Sequence, residues 1–302
     1  MQSLAKKFLK NILPSSLVLS YKTYKGKIKK RKKMPILSFG IDLVDHCILN
    51  CKHCDHFAPI ASKYFLDIST LEKDFQKLSE LTNKKIGECK FLGGEPLLHP
   101  EITNAIAIFR KHFPPPPVQS NPLYNQGFIL TNGLLLPKMP KEFWECCSAN
   151  QMTLKITKYP IDLDYNAIEQ KCVDENVKIL YSGKTGTVLK TLYYIPLDLS
   201  GKQNHKNSFF MCSHSNSSCT AFRDGKIYPC HLLSNIHHFN NYFGANLEIE
   251  KNDYIDIHKI SDIDNVLSFL KEPKPFCRYC KTGERRTEIP WGRSKKDLSE
   301  LV

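Results

Sequence analysis

The sequence predicts an α/β protein: a mostly parallel sheet with helical crossovers, open or closed into a barrel, followed by a small cysteine-rich α+β unit. Two observations carry this expectation. From Pro35 to about residue 182, short β-like runs alternate with longer amphipathic segments, which is the rhythm of βα units. Beyond about residue 200 the rhythm stops, and the chain becomes rich in cysteine, histidine and asparagine. A chain of 302 residues, 41% hydrophobic and 24% charged, can bury one large core or two smaller ones. Three regions are expected: an arm over 1–34, a βα region over 35–200 and a cysteine-rich region over 201–302.

The elements follow in order. "ILSFGIDLV" at 36–44 reads as a buried strand, and a cysteine loop leaves it directly. "STLEKDFQKLSELTNKK" opens on a Ser or Thr cap at 69 or 70 and repeats apolar residues at Leu71, Phe75, Leu78 and Leu81, which is helical spacing. "CKFLGG" is the next strand and "HPEITNAIAIFRKHF" the next helix. Prolines 114–117 mark a surface loop ahead of the strand "GFILTNG". A helix near 140–148, the strand "MTLKITKY", a helix near 165–175 and the strand "VKILYS" complete the alternation. In such folds the functional loops leave the carboxyl ends of the strands.

The net charge of +13 belongs to the arm. Residues 1–33 hold eleven Lys or Arg and no acid, which leaves 32 basic against 30 acidic residues, or +2, for the rest. The near-neutral body argues against nucleic acid as the partner. Leu4, Phe8, Leu9, Ile12 and Leu13 share one helical face with Lys6, Lys7 and Lys10 opposite, a pattern suited to an anionic membrane surface. A solvated tail is the plain alternative. No run approaches the roughly 18 apolar residues of a spanning helix, and the opening lacks a secretory signal. The expected location is therefore the cytoplasm, with peripheral contact at the inner face of the membrane. In that reducing setting, twelve cysteines read as metal ligands or redox centres rather than disulfides.

Cys47, Cys51 and Cys54 form CxxxCxxC on the loop after the first strand. Three thiolates in eight residues can wrap one face of an iron–sulfur cube and leave one iron open. Spacing alone equally allows zinc, with His46, His53 or His56 as the fourth ligand. One βα unit later stands "FLGGEPLLHP", where Gly93 and Gly94 let backbone approach a ligand and Glu95 offers a carboxylate. A third strand ends in Thr131–Asn132–Gly133 at the same rim.

CxxxCxxC followed by GGEP at the second strand strongly resembles the radical S-adenosylmethionine (SAM) enzymes, over about residues 36–195. The resemblance implies a partial (β/α)6 barrel with a [4Fe–4S] cluster on Cys47, Cys51 and Cys54. It also implies SAM chelated at the open iron, with its amine near Gly93, Gly94 and Glu95; Thr131 and Asn132 match family positions near that cofactor. An ammonium is a fitting partner for Glu95 on chemistry alone. The chain departs from the family pattern around "VKILYSGKTG", where no glycine-rich fifth-strand motif assigns the adenine contacts.

Cys212, Cys219, Cys230, Cys277 and Cys280 form a second group. Cys277 and Cys280 are a CxxC pair, while Cys212 and Cys230 bracket "CTAFRDGKIYPC", in which Gly225 permits a hairpin turn before the strand candidate "GKIYPCHLL". Zinc would fit this spacing as well as iron. The arrangement resembles the twitch domain, the shortened relative of the SPASM domain in radical SAM enzymes. That resemblance implies one auxiliary [4Fe–4S] cluster on Cys212, Cys230, Cys277 and Cys280, with Cys219 as the alternative ligand. Cys89, Cys146, Cys147 and Cys172 lie in strand or helix patterns and read as buried apolar residues. His214, His231, His237 and His238 are assigned no catalytic role.

The function so implied is a radical SAM oxidoreductase that cleaves SAM reductively and abstracts a substrate hydrogen. A one-electron reductant such as flavodoxin or ferredoxin is its implied partner, and a sugar, cyclitol or polysaccharide precursor its expected substrate. A peptide-modifying maturase is the alternative enzyme. A zinc-binding protein that uses its basic arm on nucleic acid is the alternative from another class.

Overall fold

The computed structural model describes residues 36–115, 124–182, 192–212 and 220–302. The basic arm, His214, Cys219 and the "GKTG" stretch after the fifth strand lie outside them.

The alternation read from the sequence is present, with β1 (Phe39–Val44), α1 (Ile68–Leu81), β2 (Glu88–Gly93), α2 (Ile102–His112) and β3 (Gln126–Thr131) in turn. α3 (Lys141–Ala149), β4 (Met152–Thr157), α4 (Tyr165–Asp174) and β5 (Lys178–Ser182) follow. Neighbouring strands from β1 to β5 pair in parallel, so their carboxyl ends share one rim. β1 is buried along its whole length, whereas β3 alternates between buried and half-buried.

α1 buries Leu71, Phe75, Leu78 and Leu81, the stripe its spacing predicts. Its cap differs from the expected Ser or Thr. The helix begins one turn earlier, on Asp67, whose carboxylate accepts from the Thr70 amide at 2.8 Å and from both the Ser69 and Thr70 hydroxyls. A charged acceptor with three local donors outcompetes either hydroxyl for that position.

The later segments rejoin the same sheet across the boundary expected near residue 200. β7 (Ala221–Arg223) pairs in parallel with the free side of β1, and β8 (Lys226–Tyr228) and β9 (Ile255–Asp256) continue antiparallel. The eight strands run β5-β4-β3-β2-β1-β7-β8-β9. β6 (Leu192–Tyr194) does not extend the parallel run as a sixth strand; it pairs with β10 (Arg286–Ile289) in a separate ribbon. The β7–β8 hairpin turns on Asp224 and Gly225, both at positive φ of 50° and 69°, the backbone that Gly225 permits. The strand candidate "GKIYPCHLL" is shorter than expected: β8 ends at Tyr228, and the chain enters helix at α6 (His231–Ser234) and α7 (Ile236–Phe243). α5 (His205–Met211) and α8 (Ile263–Phe269) complete the elements named here.

One buried cluster packs α1, α2 and α3 on the parallel strands and takes in Phe222, Ile227 and Ile257 from beyond residue 200. Phe39 meets Phe75 and Phe222 edge-on, at centroid distances of 6.2 and 5.5 Å. A second cluster joins Phe57 of the cysteine loop to Tyr228, Phe239, Phe276 and Tyr279. No helix among the described residues is long and apolar enough to cross a membrane.

Candidate metal and cofactor site

The parallel rim gathers three of the motifs. Gly93, at φ 117°, closes β2 against Val44, and the Gly94 amide donates to the Val44 carbonyl at 2.6 Å. The Glu95 amide donates to His46 O at 3.1 Å. A Cβ on Gly94 would stand 1.9 Å from His46 O, and one on Gly93 would stand 2.2 Å from Val44 O. In this structure the close approach these glycines permit is therefore to the backbone leading into Cys47, where the sequence suggested a ligand.

Glu95 is buried and accepts from three donors. Its Oε1 takes the Leu97 amide at 3.2 Å and the Thr131 hydroxyl at 2.7 Å, and its Oε2 takes the Asn132 amide at 3.0 Å. Burial raises its pKa to about 7, against the pull of those donors. The Asn132 side-chain amide then reaches Cys47 Sγ at 3.8 Å, which ties the carboxylate to the cysteine loop.

The thiols of that loop also receive N–H groups. Leu49 N lies 3.4 Å from Cys47 Sγ, and Trp291 Nε1 lies 3.1 Å from Cys51 Sγ. Burial pushes the Cys47 thiol up to about 11 and raises Cys54 further. Tyr159, just beyond β4, is near enough to all three sulfurs that their charge, after burial itself, raises its hydroxyl pKa.

Trp291 and Tyr159 carry no motif in the sequence, and the cysteine-free tail gives no sign of its contact. The tail crosses the loop as a strap: Cys51 and Arg293 form an antiparallel bridge, with Lys52 N to Gly292 O at 2.7 Å and Ser294 N to Asn50 O at 2.8 Å. The Trp291 and Tyr159 rings lie 5.8 Å apart.

The second cysteine group also converges. Cys212 and Cys280 pack together with Ile195, and the charges of Cys277, Cys212 and Cys230 add to burial in raising the Cys280 thiol. Cys277 is pushed up to about 12, by burial first and then by Cys212. Cys89, Cys147 and Cys172 are buried in the core as the patterns suggested, and the half-buried Cys146 sits 3.7 Å from Thr103 O.

Histidine and carboxylate side chains from β1, the loop after it, α6 and α7 meet in two groups. Asp45 is held by Arg223 through two 2.8 Å contacts, and Asn235 bridges Arg223 to Asp42. Burial opposes ionisation of Asp45, but Arg223 and His238 outweigh it and lower its pKa. Burial, and then His238, lower His237 to about 4.

No family model and no curated protein matches the sequence. Among solved structures, the chain is similar to BtrN in complex with AdoMet and 2-DOIA, at TM-score 0.48 and 15% identity over 81% of this chain and 92% of that one. It is similar to anSMEcpe with bound AdoMet at TM-score 0.45 and 15% identity, over 81% and 83% of the two chains. Streptococcus suis SuiB matches at TM-score 0.33 and 14% identity, over 77% of this chain and 58% of that one.

Proposed function

We propose that the protein is a radical SAM oxidoreductase in which Cys47, Cys51 and Cys54 hold a [4Fe–4S] cluster and the Gly93–Gly94–Glu95, Thr131 and Asn132 rim holds SAM. Cys212, Cys230, Cys277 and Cys280 hold an auxiliary cluster in this reading. One observation carries it: three thiols on the first βα loop lie beside a buried carboxylate from the second, joined by Asn132 on the third.

The donor set fits these groups. N–H groups directed at Cys47 and Cys51 suit ligated thiolates, whose charge they partly neutralise. An ionised carboxylate has about four acceptor positions. Glu95 uses three on protein donors, which leaves one on Oε2 for an ammonium. A cation there also lowers the cost of keeping Glu95 ionised in a buried place.

Held by these residues, the cluster and SAM would supply the one-electron chemistry needed to attack an unactivated C–H position. The chain's own residues orient them. The strap at Gly292–Ser294 runs along one side of the Cys51 loop, and Trp291, packed on Tyr159, directs its Nε1 at Cys51 Sγ. A sugar, cyclitol or polysaccharide precursor remains the proposed substrate class.

Anaerobic reconstitution tests the reading. About eight irons per chain with reductive SAM cleavage is the expected result. Cys51→Ala should abolish cleavage, whereas Cys277→Ala should retain it and lose about half the iron. Sulfur-bound zinc without cleavage would refute the reading.

A further inference from the structure

Asp42, His56 and His231 form a cluster that the proposed chemistry does not use. Asp42, on β1, is almost wholly buried inside the sheet, an expensive place for a carboxylate. His56 comes two residues after Cys54, and His231 directly follows Cys230. His56 Nδ1 stands 3.1 Å from Asp42 Oδ1, and His231 Nδ1 stands 3.4 Å from the same oxygen. Each ring nitrogen is within ion-pair reach of that oxygen, and against the cost of burial the two rings hold Asp42 ionised, although neither contact is aligned as a conventional hydrogen bond. One ligand atom from each of the three residues lies within 4.8 Å of the other two, a spacing that a single bound ion can bridge.

We infer that Asp42, His56 and His231 form a binding site for one divalent transition-metal ion, separate from both cysteine groups. The spacing agrees with this. With metal bonds of about 2.0–2.1 Å to His nitrogen and carboxylate oxygen, the edge of a tetrahedron is about 3.3–3.4 Å, close to the 3.1 and 3.4 Å seen here. The outer contacts agree as well. Asp42 Oδ2 accepts from Asn235 Nδ2 at 2.6 Å, which presents Oδ1 alone to the centre. His56 Nε2 faces Asp55 at 3.8 Å, a carboxylate behind a ligating ring. Gly40 leaves room for the other edge of His231, since a Cβ there would stand 2.6 Å from its Nε2.

The neighbouring group of Asp45, His237 and His238 shows the contrast. There His238 Nε2 makes the same kind of contact with Asp45 Oδ2, at 3.1 Å, but Arg223 donates to both carboxylate oxygens and its fixed positive charge disfavours a cation. A metal at the first group ties the loop of Cys54 and the loop of Cys230 to the same strand. It thereby sets the spacing of the two cysteine groups, whatever those groups hold.

Zinc is the probe. X-ray absorption at the zinc edge of the full-length, iron-loaded protein should show one zinc per chain, with a nitrogen and oxygen shell at about 2.0–2.1 Å and no sulfur at about 2.3 Å. His56→Gln and His231→Gln should each weaken zinc at least tenfold in chelator competition while keeping their iron. His237→Gln should leave zinc affinity unchanged. A sulfur shell, no zinc in the wild type, or full affinity in both ligand variants would overturn the inference. Should His231→Gln fail to fold, the wild-type shell and His56→Gln decide it. Failure of SAM cleavage with zinc retained in this shell would count against the proposed reaction and leave the metal site standing.

Discussion

Gly94→Ala tests whether the rim is built as described. The new Cβ would stand 1.9 Å from His46 O and 2.3 Å from His46 C, whereas real Cβ contacts essentially never fall below 3.0 Å. The obstacle is backbone, so the two loops must part by about 1.1 Å. Overpacking of this kind costs about 1–3 kcal/mol. Loss of the Gly94 N to Val44 O and Glu95 N to His46 O bonds adds about 0.5–1.5 kcal/mol each. The total is about 2–6 kcal/mol, which for a chain of 302 residues lowers Tm by about 3–9 °C. Differential scanning calorimetry at one scan rate reads this, beside Gly283→Ala, whose Cβ meets nothing within 4 Å and which should stay within about 1 °C. A Gly94→Ala protein that melts with the wild type would show that the two backbones are not in contact, and the placing of Glu95 beside Cys47 would fall with it.

The remaining expectations concern charge. Glu95 has a folded-state pKa raised from 4.5 to about 7. Its contribution is therefore fully present below about pH 4.5 and is lost as pH rises through about 7, at about 1.4 kcal/mol per pH unit, or roughly 3 kcal/mol in all. Urea unfolding of iron-free wild type and Glu95→Gln at pH 5 and pH 8 should show the wild type alone losing this stability; parallel behaviour would refute it. Arg223→Ala strips the buried Asp45 of its bidentate partner and should cost about 3–5 kcal/mol in the same assay, with Asp45→Asn in the same chain recovering part of the loss. Deleting residues 1–33, which hold eleven basic residues and no acid, should abolish binding to anionic vesicles while leaving SAM cleavage intact. Unchanged vesicle binding would remove the arm from any membrane role.

Much of the fold was legible because its signals are local. The stripe Leu71, Phe75, Leu78 and Leu81 marks a helix face whatever packs on it, and Asp224–Gly225 dictates its own hairpin. The motifs at Cys47–Cys54, Gly93–Glu95 and Thr131–Asn132 could be placed at one rim because parallel strands in βα order put their carboxyl ends together. Other features left no local trace. The cap on Asp67 turned on which of three adjacent polar groups gathered the most donors. Trp291 reaches Cys51 across 240 positions, and nothing in the tail's composition announces it.

The sequence by itself determined the βα alternation from β1 to β5, and which thiols and carboxylate stand at its carboxyl rim. Those depend on periodicity and chain order, which short stretches carry. Only the tertiary structure decided that β7 would close on the free side of β1, so that residues beyond 200 complete the first sheet. The same pairing brings His231 and Arg223 against Asp42 and Asp45. A buried aspartate in a strand reads from sequence as an interruption of an apolar run. Two of its partners, His231 and Asn235, lie nearly two hundred residues away, and strand pairing at that distance obeys the unsatisfied edge of a sheet rather than any pattern near the aspartate itself.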